Sequence, residues 1–257
     1  MHFIYPSDIL KPSLPDELYR EEANAIQARG HLVSLVDSNT FMVSTFQSTP
    51  EFDLGVVYRG WMVTPDEYQT LLHSIEQQGA KPYTSQEQYL AAHYLPNWYP
   101  LLAHLTPETV ILDPTADLVP ILQQLGWSRF FVKDYVKSLK TAGGAMIENP
   151  ADIERVMAEM KKYRGMIEGG LCVRRYEEFL PNSEHRFFVI DGTCYGPEPQ
   201  FPIPSIVQDC ALRLSSPFFS VDIATRIDGV ERLVEVGDGQ VSDLVGWTAN
   251  RFASLWN

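Results

Sequence analysis

The first part of the chain alternates between short apolar runs and one amphipathic stretch. HFIYP, residues 2–6, predicts a strand, and apolar residues within 16–29 recur at near-helical spacing before Gly30 ends the helix. HLVSLVD, residues 31–37, predicts a second strand. Two parallel neighbouring strands need a crossover connection such as a helix, so this order predicts a βαβ unit. The N-terminal part of the chain is therefore expected to form an α/β lobe.

The segment that follows continues the same pattern. DLGVVYRGW, residues 53–61, predicts a buried strand that ends in a charged turn. Thr64 and Pro65 are typical of a helix start, so a helix is predicted over residues 68–78. Three further helices are predicted around residues 86–94, 99–105 and 118–125.

From residue 128 onward the pattern changes to apolar strands separated by glycine turns. One helix is predicted over residues 150–164, and the strands are RFFVKDY, GLCVRRYEEFL, EHRFFVIDGTCYG, FFSVDIATRIDG and ERLVEVGDG. We place the domain boundary near Gly126, which gives domains over residues 1–126 and 127–257. The predicted fold class is α/β in the broad sense, or α+β: an N-terminal α/β lobe followed by a lobe with antiparallel sheets.

Charge and cysteine content narrow the functional classes. The 20 Lys and Arg residues against 33 Asp and Glu residues give a formal charge of −13, which repels phosphate backbones and argues against a nucleic-acid binder. The 3 cysteines form no C-x-x-C pair, so reduced, buried thiols are expected. No secretion signal and no apolar run of about 18 residues is visible, so a soluble cytoplasmic protein without membrane contact is expected.

Lysines flank a glycine turn in FVKDYVKSLKTAGGAM. Lys133 ends an apolar strand, and Lys137, Lys140 and Thr141 lead into Gly143-Gly144. Ammonium groups neutralise phosphate oxygens, and glycine lets backbone N–H groups approach them closely. The segment therefore suits a polyphosphate, although G-x-x-x-x-G-K-[ST] is absent and a solvated basic loop is the alternative.

Two predicted strands in VRRYEEFLPNSEHRFFVIDG carry charged residues on both faces. Arg174 and Arg175 are adjacent, so they point to opposite faces of a strand, whereas Glu184 and Arg186 share one face. An arginine on a cleft face would hold a phosphate or carboxylate through two hydrogen bonds. Ordinary cross-strand salt bridges are the alternative.

The last predicted hairpin places carboxylates in apolar strands. Asp222 lies in its first strand, Glu235 in its second, and Asp238 follows in a glycine-flanked turn. Embedded carboxylates are costly unless they are paired or bind a metal, and oxygen ligands of this kind suit Mg²⁺. The hairpin therefore indicates a magnesium site, with solvent-facing acids as the alternative.

The order of these elements resembles the ATP-grasp superfamily. The matching run covers roughly residues 127–246: the lysine strand FFVKD, the glycine loop TAGGAM, a helix, the linker strand CVRRYEEF, the acid-x-arginine strand EHRFFVIDG, and the hairpin VDIATRIDG with LVEVGDG. The N-terminal lobe is similar to the pre-ATP-grasp domain that usually precedes this run. Small bacterial and phage ATP-grasp proteins are the most similar in appearance.

The resemblance implies ATP and Mg²⁺ as cofactors, with a role for each matching residue. The nucleotide-binding set that it implies is Lys133, Lys140, Thr141, Gly143, Gly144, Arg175, Tyr176, Glu177, Glu178 and Glu184. Lysines would contact the phosphates, the glycine loop would cover them, and the linker strand would flank adenine and ribose. Arg186 and Lys137 are implied as catalytic residues, and Asp222, Glu235 and Asp238 as magnesium ligands.

The chain departs from the family pattern at two points. The usual E-x-N ending of the metal hairpin is Glu235-Val236-Gly237 here, which leaves Asp238 as the substitute for asparagine. The first of the family's two nucleotide lysines has no clear counterpart upstream. Lys137 is the candidate that would supply this charge from within the loop.

The resemblance implies an ATP-dependent ligase that joins a carboxylate to an amine or thiol through an acyl phosphate. Its substrates would be small molecules or peptides, with no nucleic-acid or membrane partner. A small-molecule kinase on the same fold and a catalytically inactive nucleotide-binding regulatory protein are the alternatives. Arg59 and Arg174 are candidate anchors for a substrate carboxylate, with a structural role as the alternative for each.

Overall fold

The computed structural model describes residues 1–44, 55–136, 138 and 145–256. Helices and strands alternate through the first half of this part of the chain. They are β1 His2–Pro6, α1 Arg20–Ala28, β2 Leu32–Val36, β3 Val56–Tyr58, α2 Pro65–Gln77, α3 Gln86–His93, α4 Leu95–Leu102, β4 Thr109–Leu112 and α5 Leu118–Leu125.

Strands predominate in the second half. The elements there are β5 Phe130–Asp134, β6 Met146–Ile147, α6 Ile153–Arg164, β7 Leu171–Arg175, β8 His185–Ile190, β9 Thr193–Tyr195, α7 Ser205–Arg213, β10 Phe218–Thr225, β11 Glu231–Asp238 and α8 Ala249–Ala253. Short 3₁₀ helices at Pro150–Asp152 and Gly239–Val241 complete them. No helix in the described ranges has the length and apolar character that a membrane span requires.

The chain folds into two compact units, and each is built from separate segments. The first unit contains Met1–Ala92, His185–Val221 and Gly237–Asn257, and the second contains His93–Glu184 and Asp222–Val236. Strands β10 and β11 therefore contribute residues to both units. The predicted division into domains at Gly126 follows chain order and stays a prediction.

A parallel sheet in the order β2-β1-β3 forms the centre of the first unit. Strand β1 is buried throughout because both of its faces are covered. Phe3 and Tyr5 pack in one core cluster with Ile26 of α1, whereas Ile4 packs in another with Leu71 of α2. This alternation is the two-residue period of a strand. The predicted βαβ unit and the mixed α+β fold class are confirmed.

Helix boundaries differ from the sequence predictions where proline is present. Helix α2 begins at Pro65 rather than at residue 68, because the Thr64 hydroxyl accepts from the Glu67 N–H and Glu67 Oε2 accepts from the Thr64 N–H at 2.7 Å. Helix α4 spans Leu95–Leu102 rather than residues 99–105. Proline in its first turn lacks only an N–H that has no helical partner there.

The second unit contains an antiparallel sheet in the order β4-β7-β5-β6. The alternate residues Phe130, Val132, Leu171 and Val173 form a core with α5 and α6. The residues between them, among them Lys133, therefore point to the opposite face. Another four-stranded sheet has the order β11-β10-β8-β9, and its β10–β11 hairpin turns at Gly229, which has φ 86°.

Two glycines after α6 leave room for an aromatic ring next to the lysine strand. Tyr135 follows β5, and its N–H donates to the Glu168 carbonyl at 3.2 Å. A Cβ on Gly169 would overlap the Tyr135 ring, and one on Gly170 would come within 2.9 Å of it. Gly169 also has φ +75°, a left-handed conformation that favours glycine. The end of β5 therefore depends on two residues without side chains.

Gly169→Ala should lower the free energy of unfolding more than Gly165→Ala does. Gly165 has φ +80° and no atom within 4 Å of an added Cβ, so its substitution should cost only the left-handed strain, about 1 to 2 kcal/mol. Gly169→Ala should cost roughly 1 to 3 kcal/mol more, because the methyl group displaces the Tyr135 ring. Denaturant unfolding measures both, and equal losses would contradict the packing argument.

Candidate functional site

An ion pair joins the lysine strand to the last hairpin. Lys133 Nζ on β5 contacts Glu235 Oε1 on β11, although the two residues are 102 positions apart in the chain. The Lys133 side chain is only 5% exposed, whereas that of Glu235 is 37% exposed. A buried ammonium group needs a partner of opposite charge, and Glu235 supplies it. The two residues on which the sequence prediction depends therefore meet.

Strand alternation puts three polar residues on the face that carries Lys133. Lys133 pairs in register with Cys172, and Phe131 pairs with Arg174. Since Leu171 and Val173 fill the apolar core, Cys172 and Arg174 share the opposite face with Lys133. Burial raises the pKa of the Cys172 thiol to about 12, so this thiol is neutral at physiological pH. The charges on this face are those of Lys133 and Arg174.

Arg174 reaches the same strand as Lys133 does. Its Nη1 donates to the Val234 carbonyl at 2.6 Å, and its Nη2 donates to Thr106 Oγ1. Burial lowers the pKa of its guanidinium to about 10, although the Glu235 charge opposes this shift. Lys133 and Arg174 therefore contact consecutive residues of β11.

The predicted magnesium ligands lie in different surroundings. Asp222 is 5% exposed and lies on β10, the neighbour of β11 in the sheet, while Glu235 is half-buried. Asp238 belongs to the first unit, where its Oδ1 caps the 3₁₀ helix by accepting from the Gln240 N–H at 3.0 Å. Within the described ranges no three Asp, Glu, His or Cys side chains are grouped closely enough to hold a metal ion. The ligand roles stay predictions.

Arg59 has a structural role. Its guanidinium binds both carboxylate oxygens of Glu22, at 2.7 and 2.8 Å, and donates to the carbonyls of Gly239 and Ser242. It also lies 4.5 Å from the centre of the Phe252 ring. The side chain is 1% exposed and satisfied on all sides, so it supports the structural alternative rather than the substrate anchor.

A cavity of about 700 Å³ lies beside the predicted linker strand in the second unit. Its lining includes four residues that the resemblance assigned to the nucleotide, namely Arg175, Tyr176, Glu177 and Glu178. Thr106 lines the same cavity and accepts from Arg174. A chain of contacts through Thr106, Arg174 and Val234 therefore leads from the cavity to the Lys133–Glu235 pair.

Three further cavity residues were missed by sequence reasoning. The Arg232 guanidinium donates to both oxygens of Glu177, at 2.8 and 3.0 Å, and to the Thr106 carbonyl at 2.6 Å. The Arg129 guanidinium lies 4.0 Å from the centre of the Tyr176 ring, and Tyr99 lines the wall. The only available signal was position, because Arg129 directly precedes β5 and Arg232 lies two residues before Val234.

The remaining predicted residues are not part of this group. Arg186, on β8 in the first unit, donates through Nη1 to the Asp243 carbonyl at 2.8 Å, and Glu184 is exposed in the second unit. Five predicted residues lie outside the described part of the chain: Lys137, Lys140, Thr141, Gly143 and Gly144. The roles of all seven stay predictions.

The sheets, the linker strand and the terminal hairpin are those of an ATP-grasp fold. The sequence model of an ATP-grasp domain family, described as family 3 of its clade, matches residues 123–257, just over half of the chain. The chain therefore belongs to this ATP-grasp family. No curated protein matches its sequence.

Solved structures support the same fold over the whole chain. D-cycloserine synthetase DcsG is 15% identical with a TM-score of 0.65, over 99% of this chain and 98% of DcsG. The D-alanine-D-alanine ligase from Coxiella burnetii is 13% identical with a TM-score of 0.67, over 100% and 94%. The ATP-grasp ligase PsnB, solved with a minimal precursor, Mg and ADP, is 14% identical with a TM-score of 0.61, over 99% and 96%. At these identities the likeness concerns the fold alone.

The stability of the protein should depend on pH through Asp238. Burial raises the pKa of this carboxyl from 3.8 to about 7, so the folded state holds its proton more tightly than the unfolded state does. The resulting stabilisation is fully present below about pH 4 and is lost as pH rises through about 7. Relative to Asp238→Asn, the wild type should lose on the order of 1 kcal/mol of unfolding free energy per pH unit in this window. Denaturant unfolding without divalent cations measures the difference, and a constant value would contradict the assignment.

The same pair of proteins tests the predicted metal role of Asp238. If Asp238 binds Mg²⁺ with the nucleotide, MgCl₂ and ATP should raise the melting temperature of the wild type more than that of Asp238→Asn. Equal increases would restrict Asp238 to its role as a helix cap.

Proposed function

We propose that the protein is an ATP-dependent ligase that joins a carboxylate to an amine or a thiol through an acyl phosphate. The observation that carries this proposal is the contact of Lys133 with Glu235 beside a cavity lined by the linker strand. A buried cation and a half-buried carboxylate at one point suit a polyphosphate together with its counter-ion. Membership of an ATP-grasp family and the likeness in fold to three ligases support the assignment.

In this proposal the base and ribose of ATP occupy the cavity beside Tyr176. The cavity volume of about 700 Å³ is within the usual range for small-ligand sites, roughly 300 to 1,000 Å³. Its wall offers an aromatic ring, two glutamates and several arginines. The triphosphate extends toward Lys133, along the path on which Thr106, Arg174 and Val234 are in contact. The ammonium group of Lys133 then neutralises phosphate oxygens.

The residues present fit a magnesium ion that brings its remaining ligands on the nucleotide. Asp222 and Glu235 lie on neighbouring strands, and Mg²⁺ is commonly bound through one or two carboxylates plus substrate phosphates. When bound, the ion would neutralise the charge that develops on the phosphate oxygens during transfer. In its absence Lys133 balances the Glu235 charge.

The protein's own groups mainly position and neutralise the reactants. A substrate carboxylate attacks the γ-phosphate, ADP leaves, and an amine or thiol then attacks the acyl carbon and displaces phosphate. This sequence needs no covalent enzyme nucleophile, so lysine and arginine carry the electrostatic part. Arg186 is proposed to meet the transferred phosphate. The substrate class is an amino acid or a peptide, by analogy with the ligases of similar fold.

A product assay tests the reaction. The purified protein would be incubated with Mg²⁺, ATP and a panel of amino acids and peptides, and ADP, phosphate and joined products would be measured. A ligase releases ADP and phosphate only when both substrates are present. Phosphate retained on a single acceptor would instead indicate a kinase. No rise in melting temperature with Mg²⁺ and ATP would indicate an inactive protein, because a ligand at 100 times its Kd adds about 2.7 kcal/mol.

Glu235→Gln should abolish ligase turnover while the fold persists. The substitution removes the charge that the metal ion requires and leaves the side-chain shape nearly unchanged. Glu231→Gln is the matched control, because Glu231 is exposed on the same strand. Steady-state turnover and circular dichroism measure the two properties. Retained activity in Glu235→Gln would remove this residue from the metal site.

Lys133→Met should weaken ATP binding by about 10- to 100-fold, the usual effect of losing a charge-assisted hydrogen bond of roughly 1.5 to 3 kcal/mol. Lys161→Met, at an exposed position on α6, is the control for the loss of a positive charge. Isothermal titration calorimetry measures both affinities. An unchanged ATP affinity in folded Lys133→Met would exclude Lys133 from the phosphate site.

A further inference from the structure

Arg174 is a buried cation without an anionic partner of its own. The residue is 5% exposed, and in the described part of the chain its guanidinium donates only to neutral acceptors, the Val234 carbonyl and Thr106 Oγ1. Its Nε has no hydrogen-bond partner there. The carboxylate that acts on it most strongly, that of Glu235, is already paired with Lys133. The fold therefore buries a charge that it does not neutralise fully.

Such a charge is costly to the folded protein. Desolvating a guanidinium group is unfavourable unless a well-placed anion and a full set of hydrogen bonds compensate for it. An apolar side chain of similar size would fill the same space without this penalty. The cost is offset when a bound anion completes the set.

The surroundings of Arg174 indicate which anion this is. Arg174 shares its strand face with Lys133, and the two side chains contact adjacent residues of β11, Val234 and Glu235. Its other partner, Thr106, lines the cavity proposed for the base and ribose. Arg174 therefore lies between that cavity and Lys133, where the phosphate nearest the nucleoside would pass.

We infer that Arg174 binds the phosphate group of the nucleotide that lies nearest the ribose, and that it is not an anchor for a substrate carboxylate. The inference rests on the proposed function, since it requires a nucleotide in the cavity. Phosphate oxygens accept two parallel hydrogen bonds from a guanidinium group, a geometry that the compact ammonium group of lysine does not reproduce. Arg174 would exchange its neutral acceptors for this anion.

The test compares nucleotides with and without phosphate in Arg174→Met and Arg174→Lys. Arg155→Met, at an exposed position of the same unit, is the control. Calorimetry measures ADP and ATP affinities, and ligand-observed NMR measures that of adenosine. Arg174→Met should bind ADP and ATP at least 10-fold more weakly and adenosine within twofold of the wild type. Arg174→Lys should give an intermediate loss, and it replaces Arg174→Met if the latter does not fold.

The melting temperature of the ligand-free variants separates this role from a structural one. Arg174→Met should melt no lower than the wild type, because it removes an incompletely paired charge. A folded variant that binds ADP within twofold of the wild type would overturn the inference, as would an equal loss of adenosine and ADP. A wild type that binds neither ADP nor adenosine would instead refute the proposed function itself.

Discussion

The contact of Lys133 with Glu235 is the interaction on which the candidate site depends. It joins a strand of one sheet to a strand of another and pairs a buried ammonium group with a half-buried carboxylate. Removing either partner would leave the other charge uncompensated, which costs far more than the pair contributes to stability. The pair therefore keeps a phosphate-binding cation and a metal-binding carboxylate at one point, each neutralised by the other without ligand.

Strand alternation supplies both the core and the site from the same residues. In β5 and β7 the positions that fill the apolar core alternate with the positions that carry Lys133 and Arg174. A shift of one residue in register would bury both cations in the core and expose Val132 and Val173. The register that packs α5 and α6 is thus also the register that directs the charges, so core stability and nucleotide binding share one constraint.

Local patterns predicted more than long-range contacts did. The βαβ unit, the capping box at Thr64 and the hairpin turn at Gly229 follow from spacing and residue type within short windows. The partners of Arg232 and the division of the chain into interleaved units depend on segments far apart in sequence. Adjacency placed Arg174 and Arg175 on opposite faces, but it did not indicate which face is buried, because that depends on the opposing strand.

Two buried arginines show why residue type alone did not distinguish structure from function. Sequence reasoning treated Arg59 and Arg174 alike, as candidate anchors for a carboxylate. Arg59 has a two-pronged carboxylate partner, two carbonyls and an aromatic ring, so its charge is compensated within the fold. Arg174 has two neutral acceptors and an unsatisfied Nε. Incomplete compensation is tolerable where a ligand completes it, so the degree of pairing of a buried charge separates a binding residue from a structural one.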